Sequence, residues 1–320
     1  LALAGRAAAS DAEGVHPARL AAARAFARFI AADFDSAAEQ GEVALQLCDE
    51  GASEQPQRQE QGPADPLTRA LAVAARLLAS AGTPWAGVDP RSDERLAAEL
   101  IDAVPPLAGT LSPSERPYAA SLIVEALFAN GRVSDAERCL ALLAPESDWS
   151  SDPLRAPDPG PPLPSFPFLP VRMLFYMGRT AEAEALLRRV LELPEVQQDR
   201  LWPRLADAMI ALCAAARGET SRVRTAARKV TTAFPRPRTY LEGSARALAG
   251  HGLALIGDLH EAAREMRAGG GPRLRRLIVV DRALAIEVLV REAIQRDDQS
   301  TAAEWARALL ELEAHPAASE

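Results

Sequence analysis

Apolar residues along this chain recur at helical spacing, and the runs that carry them are cut at regular points. The segment YMGRTAEAEALLRRVLELP, Tyr176 to Pro194, shows one unit: Gly178 interrupts, Ala183 follows, Leu187 and Val190 share a face, and Pro194 closes it. The same order of break and small residue returns at Gly131 with Ala136, Gly218 with Val223, and Gly257 with Ala262. Two weaker copies place aspartate at the break, Asp297 with Ala302 and Asp33 with Ala38. From Gly131 to Asp297 the breaks lie 47, 40, 39 and 40 residues apart. A period of that length marks stacked helical hairpins and not one globular core.

Each break has a physical task. A glycine between two helices takes the left-handed conformation that ends the first, and Thr180, Ser134 and Asp258 stand where a cap for the second is expected. The small residue lets the second helix lie close against the first. Leu140 and Leu143, and Leu187 and Val190, then fill the seam. Pro145, Pro194, Pro235 and Pro316 stop the second helices.

Seven helix pairs follow. They are 17–31 with 34–50, 66–80 with 92–104, 117–129 with 134–144, 167–177 with 180–192, 200–216 with 219–233, 240–256 with 259–268, and 276–296 with 299–314. In the second pair SAGTPWAGVDPRSD replaces the tight turn by a loop. GASEQPQRQEQGPADP, Gly51 to Pro66, is polar and turn-rich and reads as a flexible loop. PESDWSSDPLRAPDPGPPLPSFPFLP, Pro145 to Pro170, holds too many prolines for helix. It reads as an extended connection that Trp149, Phe166 and Phe168 pack back onto the helices. The organisation is therefore an N-terminal helical-repeat half over 1–144, a Pro-rich connection over 145–170, and a C-terminal helical-repeat half over 171–320.

Composition agrees with packed helices: alanine and leucine dominate, and aromatic residues make up only 5%. The net charge of −8 is spread unevenly, because residues 201–300 carry 17 Lys and Arg against 11 Asp and Glu. Arginine-rich helix surfaces account for that local excess; the rival reading is a basic clamp on Arg222, Arg224, Arg228 and Arg273 to Arg276. No direct nucleic-acid contact is expected from a chain of this overall sign. Cys48, Cys139 and Cys213 lie far apart in apolar text and read as buried free thiols of a reducing compartment. No apolar run approaches the ~20 residues of a membrane span. A cytoplasmic location and no membrane partner are expected. The opening LALAGRAAAS, without methionine or signal pattern, reads as part of a larger protein.

On the break glycine, the small residue after it and the closing proline, together with Gly250 and Ala211 at the small position of first helices, these units resemble tetratricopeptide repeats. The aromatic signature positions are missing and the period is longer. The resemblance implies an all-α, right-handed superhelical solenoid of about seven hairpins. Such long, alanine- and arginine-rich repeats are most similar to the sensor region of large LuxR-type transcriptional regulators. DRALAIEVLVREAIQRDDQSTAAEWARALLELEA, Asp281 to Ala314, resembles the last repeats of such regions. In that family a nucleotide-binding ATPase precedes the sensor and a helix-turn-helix follows it. No GxxxxGK[ST] loop and no terminal helix-turn-helix text occur here, so the resemblance implies the sensor region alone, with those modules as flanking partners.

Signals for catalysis are poor. His16, His251, His260 and His315 make no metal spacing, His260-Glu261 lacks the second histidine of HExxH, and no CxxC or GxSxG occurs. No cofactor, metal or catalytic residue is expected. GGGP, Gly269 to Pro272, follows a helix and reads as a flexible turn, not a phosphate cradle.

A solenoid instead offers a concave face lined by first helices. Six residues before each break stand Glu125, Arg172, Leu212, His251 and Arg291, and Tyr118, Phe175 and Tyr176 share that surface, Phe175 serving equally as core. The ligand- or partner-binding candidates are Tyr118, Glu125, Arg172, Tyr176, His251 and Arg291. The same positions in a surface without a ligand would simply be solvated. Two functions stay open: a sensor for a small-molecule effector or partner in a LuxR-type regulator, and a free-standing scaffold that holds a protein segment in its groove.

Overall fold

Alanine-rich text with apolar residues at helical spacing and a conformational break every ~40 residues leaves little alternative to helical hairpins. The computed structural model describes residues 16–53, 65–82, 90–112, 115–143, 168–192, 194–198 and 201–313, and among them every regular element is helical. The chain divides into two compact units, one running to Phe166 and the other from Pro167 to Ser319.

Unit 1 holds α1 (Pro17–Ile30), α2 (Phe34–Ser53), α3 (Pro66–Gly82), α4 (Pro90–Thr110), α5 (Arg116–Ala129) and α6 (Val133–Leu143). Unit 2 holds α7 (Leu169–Tyr176), α8 (Thr180–Glu192), the short α9 (Pro194–Gln198), α10 (Trp202–Ala216), α11 (Thr220–Ala233), α12 (Tyr240–Leu255), α13 (Leu259–Gly270), α14 (Val279–Gln295) and α15 (Gln299–Glu313). A 3-10 turn, Pro272–Leu274, joins α13 to α14. Within each unit a first helix packs on its own second helix and on the first helix of the next hairpin, as α10 does on α11 and α12.

That packing explains a difference in sequence texture. First helices are enclosed on nearly every side: α12 buries Leu241, Ala245, Leu248, Ala249, Leu253 and most residues between them. Second helices bury one stripe, as α8 does with Ala183, Leu187 and Val190. The small residue after each break is the contact point, since Ala136, Ala183, Val223 and Ala262 are each 0% exposed. Gly250 serves the same closeness from the other side: a Cβ there would stand 3.1 Å from the Ala262 carbonyl. Gly252 lies equally close to Ala211 across the α10–α12 contact.

The elbows share one geometry. Gly131, Gly178, Gly218 and Gly257 have φ between +71° and +84°. Each donates its N–H three residues back while the next residue donates five residues back, as in Gly178 to Phe175 at 3.0 Å and Arg179 to Leu174 at 2.9 Å. This is the Schellman closure, which satisfies carbonyls the helix end leaves open. Asp297 (φ +60°) closes α14 in the same way. The first hairpin corrects the sequence reading by one residue: Ala32, not Asp33, holds φ +60°, and the buried contact residue is Ala37 instead of Ala38.

A Cβ on Gly178 would meet nothing within 4 Å, so Gly178→Ala isolates the conformational cost, about 1 kcal/mol. Ala32→Gly should run the other way and gain about 0.5 kcal/mol, the relief of the left-handed alanine offset in part by a freer unfolded chain. Denaturant midpoints read both, and equal effects at the two sites would contradict the shared elbow.

Other expectations change. Thr180 and Ser134 lie inside α8 and α6, and Asp258 precedes α13 without a side-chain cap bond because its carboxylate pairs with Arg224 at 3.3 Å. Working caps stand elsewhere: Asp298 accepts from the Thr301 N–H at 3.0 Å, Asp65 from the Thr68 N–H at 3.1 Å and Thr239 from the Glu242 N–H at 3.3 Å. Pro194 stops α8 but also opens α9, where its missing N–H costs nothing. Pro105 and Pro106 lie inside α4, which runs on to Thr110. Gly51 to Ser53 are helical and end α2. Trp149 and Phe166 lie outside the described residues, while Phe168 stacks on Trp202 at 5.5 Å. Cys48, Cys139 and Cys213 are buried free thiols, and burial pushes the thiols of Cys139 and Cys213 up to about 11. No described helix is long and apolar enough to cross a membrane.

Candidate functional site

Unit 2 draws three first helices to one place. From α7 come Arg172 and Tyr176, one helical turn apart and so on one face. α12 adds Ser244 and His251, seven residues apart and again on one face. From α14 come Asp281 in the first turn and, further along, Glu287 and Arg291.

At the centre is an ion pair. The Arg172 guanidinium donates to the Asp281 carboxylate and, at 3.5 Å, to the Ser244 hydroxyl, and that hydroxyl donates to the other Asp281 oxygen at 2.8 Å. The side chains of Arg172 and Asp281 are only 7% and 1% exposed. Charges so enclosed hold only when their hydrogen bonds are made. Arg172 also lies over the Tyr176 ring, 5.5 Å from its centroid. Tyr176 stacks on His251 with centroids 6.4 Å apart and planes 17° from parallel. The edge of Phe175 meets Tyr176 at 5.8 Å.

The titratable groups take their character from this enclosure. Burial pushes the Tyr176 phenol up to about 12, so it stays protonated at neutral pH. The His251 imidazole is held below its ordinary 6.5, chiefly by burial; Glu287 and Asp281 oppose that, and Arg172 and Arg291 add to it. Its Nδ1 is buried and has no hydrogen-bond partner among the described residues. The ring as a whole is half-buried, as is that of Tyr176. The place therefore offers a stacked aromatic pair, a neutral imidazole with one nitrogen unsatisfied, and Arg291 at the rim, paired with Glu287 at 3.3 Å and 47% exposed.

Since folding keeps His251 neutral, the unfolded chain binds more protons in the interval between the depressed folded value and 6.5. Stability of unit 2 should be fully present above pH 6.5 and fall as pH drops below it. His251→Gln should remove that part of the slope, read from melting curves between about pH 5 and 7, while NMR titration of the four histidines reports the low value directly. A slope unchanged in the variant would assign it elsewhere.

Of the six sequence-predicted residues, Arg172, Tyr176, His251 and Arg291 come together here. The other two belong to unit 1. Glu125 belongs to unit 1, where it is 3% exposed, so it lines no open face. Tyr118 belongs to α5, and its side chain lies outside the described residues. Leu212, at the same register position, is core at 0% exposure. Arg172 is corrected as well: the register places it on an accessible face, whereas it is an enclosed and paired charge. Ser244 and Asp281 were missed. The one available signal for Asp281 was a carboxylate opening a helix after the apolar run LIVV, which reads equally as an end-of-helix charge.

Among the described residues no group of three or more His, Cys, Asp or Glu could hold a metal ion. Comparison with known proteins finds no matching family model, curated protein or solved structure.

Proposed function

We propose that this chain is a ligand-sensing helical-repeat region of the kind found in LuxR-type transcriptional regulators, its hairpins stacked as a right-handed superhelical solenoid with the effector site in unit 2. The observation that carries the reading is the convergence of Arg172, Tyr176, His251 and Arg291 from α7, α12 and α14. These helices belong to the fourth, sixth and seventh hairpins. Packing of successive first helices on one another, as where Gly252 meets Ala211, supports the stacked arrangement.

The site favours a small molecule with a planar or aromatic part. Such a group stacks on the Tyr176–His251 pair and offers a hydrogen bond to His251 Nδ1. A ligand seated there touches α7, α12 and α14 together and so favours one curvature of the repeat array over others. Occupancy then passes to flanking modules as a shift between curvatures.

A thermal-shift screen of planar metabolites and of short peptides tests this. The expected result is a metabolite whose shift is lost in His251→Ala and reduced in Arg291→Ala. Peptide hits alone would favour a free-standing scaffold. Hits indifferent to both substitutions would reject the site, and a reading frame without an upstream ATPase and a downstream helix-turn-helix would reject the regulator.

A further inference from the structure

The corner between α13 and α14, GGGPRLRR, is built unlike the six elbows. Gly269 lies against Gly243, where a Cβ would stand 2.6 Å from the Gly243 carbonyl oxygen, so α13 and α12 touch backbone to backbone. Gly271 takes φ +66° and ψ −162°, a region that glycine alone enters easily. Arg273 and Leu274 follow at φ +51° and +59°. The corner is held in this form from below: Leu274 is 1% exposed, Arg276 N–H donates to Gly270 O at 3.0 Å, and buried Arg282 donates to the carbonyls of Leu274 at 3.3 Å and Leu277 at 2.8 Å. The turn expected from the sequence thus takes a defined, hydrogen-bonded form.

Above it opens a cavity of about 500 Å³ lined by Gly270, Pro272, Arg273, Arg275 and Arg276. No carboxylate is among those residues. Arg273, Arg275 and Arg276 have no acidic partner among the described residues, whereas Arg264 and Arg267 on α13 and Arg291 and Arg296 towards the end of α14 each pair with one. The Arg276 guanidinium folds back against Gly271, where a Cβ would meet its Nη1 at 2.6 Å. The field of Arg275 reaches Arg282 beneath, whose pKa falls to about 10 through burial first and Arg275 second. Positive charge is therefore concentrated at this corner.

We infer that this corner is a binding site for a phosphate-bearing small molecule, its phosphate held by Arg273, Arg275 and Arg276 and its organic body lying over Pro272 and Gly270. Guanidinium forks meet phosphate oxygens in pairs. The cavity falls within the range of small-ligand pockets and is larger than a bare phosphate needs. Of the basic clamp considered from the sequence, Arg222 and Arg224 are paired with Glu219 and Asp258, and Arg228, on α11, does not line the cavity, so the corner arginines form a local site of their own.

The test is calorimetric titration at fixed ionic strength with pyrophosphate, with AMP against adenosine, and with a short DNA duplex. Pyrophosphate and AMP should bind while adenosine should not. Arg273→Ala with Arg275→Ala should weaken both about 100-fold, as expected for two lost charge-assisted contacts. Arg275→Ala alone should lie between, which guards against a misfolded double variant, and circular dichroism checks the fold of each. His251→Ala, remote in role from this corner, should bind pyrophosphate as the wild type does, so this site stands or falls apart from the effector site. Equal binding by wild type and the double variant overturns the assignment. So does binding of sulfate as tight as pyrophosphate, or binding of the duplex without AMP.

Discussion

Replacing Arg172 by alanine should lower the unfolding transition of unit 2 by roughly 6–20 °C. The figure follows from about 3–5 kcal/mol for removing one partner of a buried ion pair and about 2–4 °C per kcal/mol for a unit of some 150 residues. Asp281 is the cause. At 1% side-chain exposure it keeps, among the described residues, only the Ser244 hydroxyl at 2.8 Å once the guanidinium is gone, and a carboxylate so enclosed is poorly solvated. Asp281→Ala should cost about as much for the mirrored reason. The triple change Arg172→Met, Asp281→Leu and Ser244→Ala should recover most of the loss, because a well-packed apolar cluster replaces a buried pair at little net cost. A double-mutant cycle on Arg172 and Asp281 isolates the coupling. Arg291→Ala is the contrast: the residue is half-exposed and, among the described residues, paired only with Glu287 on its own helix, and the change should stay within about 0.5 kcal/mol. If Arg172→Ala proves equally mild, α7 and α14 do not meet in solution as described.

That contrast shows what the sequence could convey about the site. Counting back from each elbow located Arg172, His251 and Arg291 because hairpins built alike place equivalent residues alike. It could not distinguish an open position from an enclosed one. The distinction depends on Asp281, which lies 109 residues from Arg172 and a full helix length before its own elbow. Neither its own text nor the repeat register points towards α7. Tyr176 was legible as the neighbour of Arg172 one turn on; Ser244 was not, since a serine among alanines and glycines carries no signal until its partner is known.

The fold was more legible because its determinants are local. A Schellman closure needs one residue with positive φ and two hydrogen bonds within six residues, so four glycines mark four elbows directly. The copies without glycine blurred the mark: Ala32 gives no hint of a left-handed conformation, and the adjacent Asp33 drew the break one residue late. Prolines were the less reliable punctuation. Pro194 and Pro90 open helices, and Pro105 and Pro106 are tolerated within α4. What packs on the GGGP corner was not legible, because three glycines carry no side chain that points to a partner. In the structure Gly269 meets Gly243, Gly270 meets Leu274 and Gly271 meets Arg276.

The face of α12 turned towards α13 carries a second buried pair, and breaking it should be the other large effect. Arg246 donates from Nε to Glu265 at 2.7 Å and from Nη1 to the Phe234 carbonyl at 2.9 Å, which ties the end of α11 to α12 and α13. Thr231 on α11 donates to the same Glu265 carboxylate at 2.9 Å. The side chains are 5% and 0% exposed. Arg246→Ala should therefore cost about 3–5 kcal/mol, as it leaves the enclosed Glu265 carboxylate to the Thr231 hydroxyl and to the longer 3.6 Å contact of half-exposed Arg264. Glu265→Ala should cost less, because Arg246 keeps its backbone carbonyl acceptors. Ser244 and Arg246, two residues apart, bind α12 to α14 on one side and to α11 and α13 on the other. His251 sits one to two turns further along the same helix. Loosening the Arg246 side should thus shift the His251 ring against Tyr176, and the NMR-detected pKa of His251 should move towards its ordinary value although Arg246 touches neither ring. A His251 titration unchanged in Arg246→Ala would mean that α12 is positioned by its glycine contacts alone.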